Sequence, residues 1–226
     1  MGVPSHPTNP HVARSYFFAY NPHKLTGKGH FMGRPRHTQK NSKPILEREY
    51  KLLLTYANGI QTFETTKTKW IRTIEILYMT GLRVSEILNI RVKDIRDAIE
   101  HSELKVYISK QNIIRHIPLS QKSITVLKKL IQHDSDPESF LIHKRNMKRT
   151  RLTSVSFTYE LNQFIQTALN SSDYSSHSFR KGIITHMSQK GINPKITQTF
   201  IGHKNVTTTL NYYRPTTEDV RECLVR

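Results

Sequence analysis

Four short segments carry side chains whose types and spacing suit work on a phosphate. In Thr80-Gly81-Leu82-Arg83-Val84-Ser85-Glu86, a glycine-marked helix end runs straight into a new helix. Arg83 and Glu86 then sit three apart on one face, where the acid can orient the guanidinium. Ser109-Lys110-Gln111-Asn112 puts a lysine at a hairpin tip, with Lys105 as a neighbouring candidate. His177-Ser178-Phe179-Arg180 pairs an imidazole with a second guanidinium. Gly202-His203 is followed nine residues later by Tyr212, with Tyr213 beside it. Guanidinium forks match phosphate oxygens, and imidazole and ammonium groups can move protons. A phenol can serve as a nucleophile. Taken singly, each segment is weak, because surface Arg–Glu pairs and hairpin lysines are common and solvated. A zinc site is not expected: His177, His186 and His203 lack the HExxH spacing and any cysteine partner.

The elements that must position these groups read as follows. Leu46, Tyr50, Leu53, Leu54 and Ala57 recur at helical spacing, and Gly59 is a stop signal. Trp70, Ile71, Ile74, Leu77 and Tyr78 predict a second helix ending near Gly81, and a third runs over Val84–Arg91. Leu104–Ser109 and Arg115–Leu119 alternate at period 2, which predicts a β-hairpin turning at Lys110–Ile113. Ser120 can cap a helix whose inner face is Ile124, Leu127 and Ile131. Phe140-Leu141-Ile142 reads as a short strand. Thr153 begins a helix reaching about Leu169, and further helices are expected near 177–190, 194–201, 206–213 and 216–225. The fold class is α+β, mainly helical, with a small antiparallel sheet.

Composition narrows the partner. The 226 residues carry 35 Lys/Arg against 17 Asp/Glu, a net charge of +18, which favours a polyanion. Residues 1–44 hold six of the ten prolines and seven Lys/Arg without one acid. Such a stretch buries too little apolar surface to offset its ordering entropy. We therefore expect residues 1–43 to be a flexible, basic, Pro-rich arm and 44–226 to be the folded domain. A second basic run, with Lys144, Arg145, Lys148, Arg149 and Arg151, is a candidate for phosphate contacts. No run of apolar residues is long enough to span a bilayer. The N-terminus shows no basic-then-apolar secretory pattern, and Cys223 is the only cysteine. An intracellular protein is expected, with nucleic acid the first candidate for its polyanionic partner and an anionic membrane the second.

Taken together and in order, the four segments resemble the tyrosine recombinase/phage integrase family, the lambda-integrase-like DNA breaking–rejoining enzymes. The residues behind the resemblance are TGLRVSE at 80–86, the hairpin lysine before a Pro-Leu strand end, HSFR at 177–180 and IGHKNVTTTLNY at 201–212. It covers about 44–226 and implies a lambda-integrase-like catalytic core. It also implies a catalytic set of Arg83, Lys110, His177, Arg180, His203 and nucleophile Tyr212, with Glu86 supporting Arg83. Tyr213 competes with Tyr212, and the nine-residue spacing selects Tyr212. The implied activity is site-specific recombination of double-stranded DNA through a 3′-phosphotyrosyl bond, with no metal or other cofactor. A homotetramer on paired sites is implied, with a monomer or weak oligomer when free. The same residues would also serve a type IB-like topoisomerase or hairpin resolvase, or survive in a catalytically lapsed DNA-binding regulator. Two features depart from the pattern: Lys181-Gly182 follow HSFR where His and Ser/Thr are common, and the Pro-rich first 44 residues do not resemble a helical core-binding domain.

Overall fold

A computed structural model describes residues 42–108, 112–203, 205–213 and 221. The chain is organised around one enclosed helix, α2 (Glu64–Thr80). Thr73, Ile74, Glu75, Ile76 and Leu77 are buried in succession, so this helix is covered on every side. It ends at Gly81, whose φ of 59° is left-handed and whose N–H donates to the Leu77 carbonyl at 2.9 Å. Against α2 pack α1 (Glu47–Gly59), α5 (Gln121–Ile131) and α7 (Ser176–Gln189). Buried Arg72 ties α2 to the end of α5, donating to the Leu130 and Leu141 carbonyls and to Asp134. α6 (Ser154–Ala168) adds Phe157, Leu161 and Phe164 to the core, where Trp70 stacks on both phenylalanines. No helix among the described residues is long and apolar enough to cross a membrane.

The helix expected over Val84–Arg91 is two elements. α3 (Val84–Ile87) stops after one turn, and α4 (Val92–His101) starts afresh. The reason is tertiary. Ile90 and Arg91 leave the helix to meet Phe140 and Leu141, with Leu141 N–H donating to the Ile90 carbonyl at 2.9 Å. The Asp94 carboxylate accepts from the Arg91 N–H at 2.7 Å and restarts the helix, while Val92, Ile95 and Ala98 face inward. The same meeting corrects the strand expected at 140–142. It is one isolated bridge, and all three residues are buried rather than alternating.

The hairpin forms as the alternation predicts, except that its second strand starts at Ile113, inside the expected turn. β1 (Glu103–Ile108) pairs antiparallel with β2 (Ile113–Pro118), Val106 opposite Arg115 and Lys105 opposite His116. Leu104, Val106 and Ile108 face the core with Ile117, and Arg115 shares that inward face. Ser120 caps α5, its hydroxyl accepting from the Ser123 N–H at 3.1 Å. α8 (Pro194–Ile201) has proline in its first turn and is capped by Asn193. α9 (Thr207–Leu210) is shorter than the expected 206–213. The helix expected at 216–225 lies outside the described residues, apart from Arg221.

Ser42 and Lys43, at the end of the expected arm, are bonded to the domain. Lys43 N–H donates to the Asp173 carbonyl, and the Ser42 carbonyl accepts from Lys181 Nζ at 2.7 Å. Ile45 N–H donates to the Ser178 carbonyl at 2.9 Å, so this segment crosses α7 directly over Gly182. A Cβ on Gly182 would fall inside the contact radius of the Ile45 carbonyl oxygen. The departure from Ser/Thr at this position therefore has a steric cause. Gly182→Ala should destabilise the domain by about 1–3 kcal/mol, because a backbone group must move. Denaturant unfolding checks this, and an unchanged midpoint would show that the crossing is loose.

Candidate active site

Two left-handed glycine turns build the site. Gly81 ends α2 and delivers Arg83; Gly202, at φ 72°, ends α8 and delivers His203. Buried Leu82 anchors the first turn. Glu86 then holds Arg83 from two sides: its carboxylate accepts from the Arg83 main-chain N–H and from Nη1, both at 2.7 Å. Glu86 is buried, while the Arg83 side chain stays 40% exposed, so the far edge of the fork faces outward.

Arg180 joins the two turns. From α7 its Nη1 donates to the Gly81 carbonyl at 3.0 Å, and its Nη2 donates to the Ile201 carbonyl. His177 lies one turn earlier on α7. His203 is oriented by Thr209, whose hydroxyl lies 3.0 Å from Nδ1, and by Gln198, which donates to its carbonyl. The chain after α9 is fastened to α7, where the Ser188 hydroxyl donates to the Tyr212 carbonyl at 2.7 Å.

These turns bring Arg83, His177, Arg180, His203 and Tyr212 to the wall of one cleft, together with Lys181, Ile184 and Thr208. Tyr213 goes elsewhere: its hydroxyl meets Thr197 of α8 at 2.5 Å. Lys110 lies outside the described residues. Lys105 is exposed on the outer face of the hairpin, opposite the face that carries Arg115. Lys144, Arg145, Lys148, Arg149 and Arg151 are exposed and do not line the cleft. Arg149 is paired with Asp136 at 2.9 Å, and Arg145 stacks over Phe63 with 4.3 Å to the ring centre. Arg151 reaches the Ser85 carbonyl beside Arg83. Among the described residues no group of His, Cys, Asp and Glu could hold a metal ion.

The cleft is cationic, and its titrating groups respond. Burial, then Arg180, Arg83 and Arg115, hold His203 down at about 4. Desolvation and then Arg180, Arg83 and Lys181 lower His177; solvent still reaches that ring, so the cations are the firmer cause. Both imidazoles are neutral at pH 7. Burial raises the Tyr212 phenol, against the pull of Arg180. The arrangement can hold an anion between two guanidinium groups, with a neutral imidazole and a protonated phenol at its edge.

The family model described as "Phage integrase family" matches residues 43–219. The chain belongs to that family. Tyrosine recombinase XerA of Pyrococcus furiosus is 29% identical over 185 residues, covering 81% of this chain and 61% of that protein. Tyrosine recombinase XerC of Staphylococcus epidermidis is 30% identical over 168 residues, 72% of this chain and 55% of that one. The Tn1549 transposon integrase, solved in complex with transposon right end DNA, superposes with a TM-score of 0.64 at 20% identity, covering 81% of this chain and 65% of that chain. The fold is thus lambda-integrase-like, mainly helical with a small antiparallel sheet. The chain spans roughly half to two thirds of the length of these relatives.

Sequence reasoning missed three contributors. Ser188 fastens the Tyr212 segment, Lys181 lines the cleft, and Arg115 sits buried beside Glu86. Arg115 left a signal as a charge at an inward position of an alternating strand, and Lys181 stood out only as a departure from the family pattern.

Proposed function

We propose that this chain is a site-specific DNA recombinase that cuts and rejoins duplex strands through a 3′-phosphotyrosyl intermediate at Tyr212. The observation that carries the reading is the convergence of Arg83, His177, Arg180, His203 and Tyr212 on one cleft. In this reading the Tyr212 oxygen attacks the scissile phosphorus, its proton passes to neutral His177, and the bond from phosphorus to the 5′-oxygen breaks. Arg83 and Arg180 neutralise the non-bridging oxygens, and His203 donates to one of them. Lys110 protonates the departing 5′-oxygen. A 5′-hydroxyl from a partner strand then reverses the step. The cofactor-free bond exchange fits a cleft that supplies the cations itself.

The remaining charge, the arm at 1–43 included, would track the duplex backbone, so affinity should fall steeply with salt. The family resemblance supports assembly of a homotetramer on two paired sites. The test is covalent capture from a pool of nicked duplexes with randomised arms, followed by strand joining between two captured duplexes. Adduct plus joining is the expected result. Adduct without joining, together with relaxation of a supercoiled plasmid, would indicate a topoisomerase, and no adduct would sink the reading.

The pH profile is a separate expectation. Because His177 sits below its ordinary 6.5, it remains an unprotonated base to lower pH. The second-order rate of adduct formation, which reports free-enzyme groups, should fall on an acid limb whose midpoint lies below 6.5. An acid limb above that value would remove His177 as the base.

A further inference from the structure

Arg115 is a buried cation that the proposed chemistry does not use. It is 7% exposed on the inward face of β2, where its cross-strand neighbour is Val106. Its Nη2 donates to the Thr80 carbonyl at 3.1 Å, and its Nη1 stands 4.0 Å from Glu86 Oε2. Its guanidinium carbon lies 5.3 Å from the Phe200 ring centre. Among the described residues, Nε and Nη1 are buried without a hydrogen-bond partner. An aliphatic side chain would fill an inward strand position at far lower desolvation cost, so packing alone does not account for a charge here.

Its two polar partners, Thr80 and Glu86, both govern Arg83. Thr80 is the last residue of α2, and its hydroxyl accepts from the Leu82 N–H at 3.3 Å within the turn that delivers Arg83. Glu86 is the carboxylate that grips Arg83 through the backbone and the side chain. We propose that Arg115 is a positioning residue: it holds the turn at Thr80 and shares the charge of Glu86, and thereby sets the direction and availability of the Arg83 fork. With Arg115 gone, Thr80 loses a donor and Glu86 has only Arg83 to neutralise it, which draws the fork away from the phosphate.

The inference rests on the recombinase reading, and a double-mutant cycle on the full chain separates the two. The probe is one nicked duplex captured by the wild-type protein, followed in single turnovers with R83K, R115M and the R83K/R115M pair. R115M should cleave about 10- to 100-fold more slowly, the scale of a small misplacement at a reacting centre. Duplex affinity should be unchanged. The pair should be no more than about threefold slower than R83K alone, because Arg115 acts through Arg83. R115K, which keeps the charge without the fork, should fall between R115M and wild type, and it serves in the cycle if R115M fails to fold. Multiplicative losses in the pair would mark Arg115 as merely structural, and a wild-type rate in R115M would overturn the inference. Failure of the wild-type protein to capture any duplex would count against the recombinase reading instead.

Discussion

Tyr212→Phe is expected to remove the covalent DNA adduct altogether, a loss of at least about 10⁴-fold, because it deletes the attacking oxygen while leaving the ring in place. Duplex affinity should persist, since the charges that hold the backbone are untouched. Tyr213→Phe is the matched control. Its hydroxyl bonds Thr197 and lies away from the cleft, so the adduct should form at close to the wild-type rate. Stability should drop by about 1 kcal/mol for the lost hydrogen bond. Denaturing gels with end-labelled nicked duplex decide between the two residues. An adduct that survives in Tyr212→Phe and vanishes in Tyr213→Phe would place the nucleophile one residue later and would require the segment to rotate from the position seen here.

Arg180→Ala is expected to fail twice. As a phosphate fork, its loss should slow adduct formation by about 10²–10³-fold or more, the cost of removing one preorganised donor from a developing charge. As a clasp, it leaves the Gly81 and Ile201 carbonyls without their donor. Each buried acceptor left unpaired costs about 1–3 kcal/mol, so the melting temperature should fall as well. Arg180→Lys separates the effects, since an ammonium can satisfy one carbonyl but cannot span both turns. Arg83→Ala gives the contrast. Arg83 is partly exposed and, among the described residues, its side chain donates to Glu86 alone, so its loss should slow cleavage with a smaller change in melting temperature. Equal melting in Arg180→Ala and wild type would show that the clasp contributes little to the fold.

Local chemistry made several elements readable. Gly81 marks a helix end because its left-handed backbone is costly for other residues. Ser120 marks a helix start because its side chain accepts an orphaned N–H group. The hairpin alternates because one face is buried. Misreadings came where distant segments meet. α3 and α4 separate at Ile90 because that backbone pairs with residues some fifty positions later, and periodicity in a short window carries no trace of such a partner.

The amino-acid order alone determined which groups are present and at what intervals: two arginines, two histidines, a hairpin lysine and a pair of tyrosines, in an order that resembles one family of enzymes. Three matters were decided only by tertiary packing. It joined the turns at Gly81 and Gly202 through Arg180, it sent Tyr212 to the cleft and Tyr213 to Thr197, and it buried Arg115 against Glu86. Spacing along a chain sets which side chains share a face of one element. The direction of a side chain between elements depends on which long-range contacts bury the most surface while leaving the fewest polar groups unpaired, and those contacts form only when the whole domain closes.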